Sequence, residues 1–195
     1  AASIARGEES APVRLGNPDW KRARRVVNAS RRMYWGRFNP RSWSCPATPE
    51  ATQGEVRVNA GCGRMVLWGY YNVDRRKHDG VIEGSLESGR MPFPDSSVDF
   101  VLARHVLEHV VDFGDALEEI RRILRPGGLL LVNTPDTASF WARLFGSRWH
   151  AYCPPEHLSY FSVRNLGELL GSNSFEVLAC AKIGKRFTPA YICSM

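Results

Sequence analysis

The β-branched positions Val56 and Val58 lead into Gly61-Cys62-Gly63, and a second apolar run, Tyr70-Tyr71-Asn72-Val73, ends on Asp74, eleven residues after Gly63. Glycines at the exit of a strand let the backbone turn sharply and approach a ligand, because no Cβ intervenes. An acid at the tip of the next parallel strand can accept hydrogen bonds from both hydroxyls of a ribose. Together these elements describe a pocket for an adenosine-containing cofactor.

The pattern that follows alternates strand and helix. Strands are expected over 55–60, 70–74, 80–84, 98–103 and 128–134. A sixth is expected where Phe175, Val177, Ala179 and Ala181 alternate, and a seventh over Ala190 to Cys193. The clearest helix runs from about Asp112 to Leu124, with Leu117, Ile120 and Leu124 on one face, and stops at Arg125-Pro126-Gly127-Gly128. Two more are expected, over Thr137 to Phe145 and from a Ser162 cap to Leu170. Such alternation implies an α/β fold with a mostly parallel sheet covered on both faces. Only nine residues, Gly61 to Gly69, join the first two strands, whereas a parallel crossover usually takes about a dozen or more. Either its helix shrinks to about a turn or one strand assignment fails; the assignments are kept.

Charge divides the chain in two. Residues 1–53 carry ten Lys/Arg and four Asp/Glu, while residues 54–195 carry sixteen of each, so the whole net charge of +6 lies in the N-terminal part. That part reads as a basic extension, 1–53. It has one amphipathic helix starting at Asn17-Pro18, with Trp20, Ala23, Val27 and Tyr34 roughly on one face. Its arginines suit nucleic acid or an anionic surface, the remnant of an organelle-targeting segment, or simply a solvated face. Pro40, Pro46 and Pro49 mark a linker into the domain at 54–195. Five cysteines form no CxxC pair, which favours free thiols in a reducing, cytoplasmic location. The longest apolar stretch, Leu129 to Val132, is strand-sized, so no transmembrane segment is expected.

Five segments in register resemble the class I S-adenosylmethionine-dependent methyltransferases. They are Val58-Asn59-Ala60-Gly61-Cys62-Gly63, Asn72-Val73-Asp74, the stretch from Met91 to Asp99, His105-Val106-Leu107-Glu108-His109, and the stretch from Arg121 to Gly128. The His-Val-Leu-Glu-His stretch is similar to a subgroup associated with glycan and small-molecule methylation. The resemblance implies a Rossmann-like sheet of seven strands, parallel except for one, with S-adenosyl-L-methionine across the carboxyl ends of the first, second and fourth. It places Gly61, Cys62 and Gly63 under the methionine part and ribose, and Asp74 on the ribose hydroxyls. Ser85 and Leu86 fall where the family contacts adenine, with serine in place of the usual aspartate. Arg104 and His105 line the pocket near the sulfonium. His109 or His105 is the candidate general base on the acceptor, since imidazole titrates near neutral pH; a structural role for Glu108 and His109 is the competing reading. No metal is expected, because His105 stands where metal-holding quinone-pathway relatives have a carboxylate.

The resemblance puts the acceptor over Asn133 to Asp136 and the stretch from Arg148 to Phe161, which is dense in aromatic and histidine side chains. Such residues on a stiff loop suit a small-molecule or glycan-type acceptor. The reading is therefore a methyltransferase, of unspecified oligomeric state, acting on a small molecule or glycan precursor. One alternative is a non-catalytic cofactor-binding partner that associates with nucleic acid. Another is an NAD-linked oxidoreductase, weakened because Gly61-Cys62-Gly63-Arg64-Met65-Val66 lacks the third glycine of G-x-G-x-x-G.

Overall fold

Five runs of apolar residues pair into one parallel sheet in the computed structural model, which describes residues 54–87 and 91–181. The strands are β1 (Arg57–Ala60), β2 (Tyr71–Asp74), β3 (Ile82–Glu83), β4 (Val98–Arg104) and β5 (Leu124–Asn133). Their order is β3-β2-β1-β4-β5. The chain steps outward on one side of β1 and then returns to its other side. The crevice above β1 and β4 is thus the topological switch point, where open α/β sheets bind ligands.

Burial on both faces makes β4 an almost continuous apolar run. Val101, with no exposed surface, packs with Leu117 and Ile120 of helix α1 (Phe113–Ile123). Leu166, Leu169 and Leu170 of helix α3 (Val163–Ser172) pack against the same cluster. Phe100 and Leu102 point the other way, onto Leu67, Met65 and Tyr70 of the β1–β2 connection. Among the described residues this second face is therefore covered by a connection without a helix. Asp112 caps α1 by accepting from the Asp115 N–H, and Ser162 caps α3 in a reciprocal capping box with Asn165. Arg122, at the C-terminal end of α1, pairs with Glu119 and Asp95 and donates to the carbonyls of Phe93 and Met91, pinning the 91–95 segment to the helix.

Several expectations change. Among the described residues no sixth strand forms: Phe175 anchors on the core and its N–H bonds to Leu170 O, but Val177 is exposed and no ladder is seen over 175–181. Apolar alternation shows which side a strand would bury, but a strand also needs a partner edge. The expected seventh strand and the whole 1–53 extension lie outside the described residues. Strand β5 begins at Leu124, before the Pro-Gly-Gly segment, and its pairing with β4 shifts between Val98/Leu124 and Phe100/Leu129. That irregularity is packed so closely that a Cβ on Gly128 would lie 2.9 Å from Arg125 O. Helix α2 spans only Phe140–Phe145, because Asp136 first accepts from the Ala138 and Ser139 N–H groups in a turn and Ser139 then caps the helix.

Candidate functional site

The glycine turn and Asp74 meet as the spacing predicts. Gly61 and Gly63 have φ of +62° and +53°, a region that side chains with a Cβ rarely adopt. A Cβ on Gly61 would come 2.6 Å from Val106 Cγ2, whereas one on Gly63 would meet nothing within 4 Å. Gly61 thus lets the turn close against the segment after β4, and Gly63 faces open space. The Gly63 N–H donates to Asp74 Oδ2 at 2.8 Å, the Arg76 N–H donates to Oδ1 at 3.1 Å, and the Cys62 N–H donates to Val73 O at 3.0 Å. The turn and the end of β2 are one unit.

Two asparagines explain how so short a connection works. Asn59 and Asn72 face each other in register on β1 and β2 and are 3% and 4% exposed. Asn59 Nδ2 donates to Asn72 Oδ1 and to Met65 O, both at 2.9 Å. Asn72 Oδ1 also accepts from the Leu67 N–H, and its Nδ2 donates to Leu67 O and Tyr70 O. A helix would satisfy these backbone groups internally; here two amides do so. The signal was present in the sequence as one polar residue inside each of two apolar runs.

Glu108, in a 3₁₀ turn (Leu107–His109), is 1% exposed and joins three segments at the carboxyl end of β4. Its Oε1 takes His105 Nδ1 at 2.9 Å, its Oε2 accepts from Thr134 Oγ1 at 2.9 Å, and its carbonyl accepts from the Leu158 and Ser159 N–H groups. Burial alone would raise the carboxyl pKa, but the bonds from His105, its own backbone and Thr134 outweigh it and hold the group below its usual range. An ionised carboxylate only accepts, so His105 carries its proton on Nδ1, and a neutral ring then has its lone pair on Nε2. His105 sits at φ +53°, its N–H bonded to Asn133 O at 2.8 Å, beside the Val106 that packs on Gly61.

The remaining expected residues are dispersed. His109 Nδ1 donates to Glu156 O at 2.6 Å, and its ring meets His157 edge to face, so it holds the 148–161 loop. Arg104 Nη1 contacts Met65 Sδ, and the Met65 N–H bonds to Cys62 O, which ties Arg104 to the glycine turn. Ser85 Oγ accepts from the Glu87 N–H in a local turn, and Leu86 is part of the main core. Phe161 anchors the 148–161 loop in that core against Phe113, while Leu158 stays exposed. The Cys62 thiol is pushed up to about 11 by burial and then by the Asp74 charge. Only the thiolate is nucleophilic, so iodoacetamide at pH 8 is expected to label Cys62 far more slowly than the exposed Cys180. Equal labelling rates in a peptide map would contradict this environment.

A family model described as a methyltransferase domain matches residues 28–179. The chain belongs to this methyltransferase domain family. It is 37% identical over 128 residues to a probable S-adenosylmethionine-dependent methyltransferase of Mycolicibacterium smegmatis, covering 66% of this chain and 41% of that protein. The chain thus spans well under half of that relative. An S-adenosylmethionine-dependent methyltransferase from Thermotoga maritima superposes with a TM-score of 0.51 at 25% identity, covering 63% of this chain and 64% of that one. One from Archaeoglobus fulgidus, at 18% identity, shares the fold with a TM-score of 0.50 over 72% of this chain and 76% of its own. Membership gives meaning to the place of the glycine turn and Asp74, at the switch point of a Rossmann-like methyltransferase sheet. Among the described residues of this methyltransferase domain, no helix is long and apolar enough to cross a membrane.

Proposed function

We propose that this domain transfers a methyl group from S-adenosyl-L-methionine to a hydroxyl of a small-molecule or glycan-precursor acceptor. The observation that carries the reading is the unit formed by the Gly61–Gly63 turn and the Asp74 carboxylate at the switch point of the sheet. These residues fit the cofactor. A carboxylate offers about four lone-pair sites; two of Asp74's are used by Gly63 and Arg76, which leaves acceptors for a ribose diol. Gly63 adds open space in front of the turn.

When bound, the cofactor supplies an activated methyl on a sulfonium, and the protein supplies alignment, water exclusion and a base. Gly61, Cys62 and Gly63 support the methionine and ribose part, and Asp74 orients the ribose. Ser85 and Leu86 border the adenine, with the Ser85 hydroxyl a weaker acceptor than an aspartate. His105, held by Glu108, takes the acceptor's hydroxyl proton on Nε2. His105 is preferred to His109 for this role because it follows β4 directly, beside the Val106 that packs on the glycine turn, whereas His109 holds the loop at Glu156. The Arg148–Phe161 loop, fastened to Glu108 O and the core, shapes the acceptor side.

Calorimetric titration with S-adenosylhomocysteine tests the cofactor reading, with NADH as the competing ligand. Asp74→Ala is expected to weaken S-adenosylhomocysteine by about 1–3 kcal/mol, roughly 5- to 150-fold, the scale for hydrogen bonds to a charged group. Unchanged affinity would remove Asp74 from the ribose, and tight NADH binding without S-adenosylhomocysteine binding would overturn the reading. A screen of hydroxyl-bearing acceptors with methyl-labelled cofactor then identifies the product.

A further inference from the structure

Glu108, His109 and His157 each offer one ligating atom, and these atoms lie within 4.8 Å of one another. They come from two segments about fifty residues apart in sequence. The segments are fastened together by backbone, since the Leu158 and Ser159 N–H groups donate to Glu108 O at 2.8 and 3.2 Å. Against the expectation of no metal, which rested on His105, we propose that these three residues form a divalent-cation site, with two imidazole nitrogens and one carboxylate oxygen as ligands and with His157 as the third ligand in place of a carboxylate at position 105.

The first argument is the state of the two rings. His109 Nδ1 bonds to Glu156 O at 2.6 Å and His157 Nδ1 bonds to Ala151 O at 2.8 Å. A carbonyl oxygen cannot donate, so both rings carry the proton on Nδ1, and each neutral ring keeps its lone pair on Nε2. Metal-ligating histidines are set up in this way: a backbone carbonyl takes the far N–H and fixes the tautomer before the ion arrives. The ring centroids are 4.8 Å apart with an interplanar angle of 79°.

The second argument is the carboxylate. A buried carboxylate is ordinarily paired or bound to a metal. Among the described residues the Glu108 side chain meets His105 and Thr134, and no arginine or lysine. Those two bonds leave lone pairs on both oxygens. A dication there would take one of those lone pairs, with His105 and Thr134 orienting the carboxylate from behind.

Two nitrogens and one oxygen suit zinc or iron(II) rather than magnesium or calcium, which prefer all-oxygen shells. With ligand bonds of about 2.0–2.2 Å, the donor atoms of a filled site stand roughly 3.3 Å apart, so the cage, whose donor atoms lie within 4.8 Å of one another, must contract on binding. His109 is exposed and His157 half-buried, which leaves both rings room to pivot. Three protein ligands leave at least one coordination position for a water or an acceptor oxygen.

The test uses the full chain stripped with EDTA and titrated with cobalt(II) alone at constant pH, with zinc(II) competition giving affinity. One equivalent of cobalt is expected to produce visible d–d absorption without a thiolate charge-transfer band. His109→Ala and His157→Ala are each expected to weaken binding on the order of a hundredfold, and the double variant to abolish it, while His150→Ala leaves it unchanged. Zinc should raise the melting temperature of the wild type and not of the double variant. The variants' melting temperatures in EDTA separate lost ligation from lost folding. Equal cobalt affinity in the wild type and a folded double variant, or an intense thiolate band, overturns the site. Because the readouts need no methyl transfer, failure here is distinguishable from failure of the proposed function.

Discussion

Asn72→Leu is expected to lower the unfolding free energy of this domain by about 3–5 kcal/mol, the largest stability effect of any single change near the site. Leucine fills a similar volume but removes a side chain that takes part in four hydrogen bonds, with Asn59 Nδ2, the Leu67 N–H, Leu67 O and Tyr70 O. Each buried group left without a partner costs about 1–3 kcal/mol. Water can reach part of the connection, so the sum is discounted below the full total. For a domain of this size that loss corresponds to a fall in melting temperature of about 10 °C. Trp68→Ala, in the same connection but 90% exposed, is the matched control and is expected to change stability by less than about 0.5 kcal/mol. Comparable losses in the two variants would mean that the connection is not held by the asparagine pair. Because Leu67 and Met65 also cover Phe100 and Leu102 on β4, the fold's second face depends on these amides.

That dependence shows where the sequence was readable and where it was not. β1 and β2 were legible because their apolar runs end on a glycine or an acid, and β4 because its apolar run is nearly continuous. Helix α1 was legible because its cap, its apolar stripe and the proline-glycine stop agree. The start of β5 was not, since Pro126-Gly127-Gly128 suggests a pause, while the actual pairing carries the strand through an irregularity that only its neighbour, Val98, defines. The region after Phe175 misled for a related reason: alternation records burial, and pairing is decided by an edge elsewhere. In the site, Gly61, Gly63 and Asp74 could be read because they are local in sequence and their chemistry depends on backbone shape. Glu108 could not be read as a centre, since its partners, Thr134 Oγ1 and the Leu158 and Ser159 N–H groups, come from distant segments. The pairing of His109 with His157 was invisible for the same reason.

His105→Asn is expected to reduce kcat by about 10²–10⁴-fold, the usual contribution of a positioned general base, while leaving S-adenosylhomocysteine affinity nearly unchanged. Asparagine is the informative replacement. His105 adopts φ +53°, a conformation that most side chains resist and asparagine tolerates, so the turn between β4 and the Leu107–His109 segment is kept while the imidazole is lost. His105→Ala would mix the loss of the base with strain in that turn. The comparison belongs in single-turnover kinetics with an acceptor from the screen, because product release can mask the chemical step. Three observations make the ring the right atom to remove. Its Nδ1 is committed to a carboxylate held ionised by its surroundings, its backbone is tied to Asn133 O, and its neighbour Val106 packs on the glycine turn. In the proposed mechanism a base so placed acts on the acceptor rather than on the cofactor, and a drop in kcat without a change in cofactor affinity is the signature of that division. Turnover within about threefold of wild type would assign His105 to holding the turn alone, leaving the chemistry to alignment of the acceptor against the sulfonium.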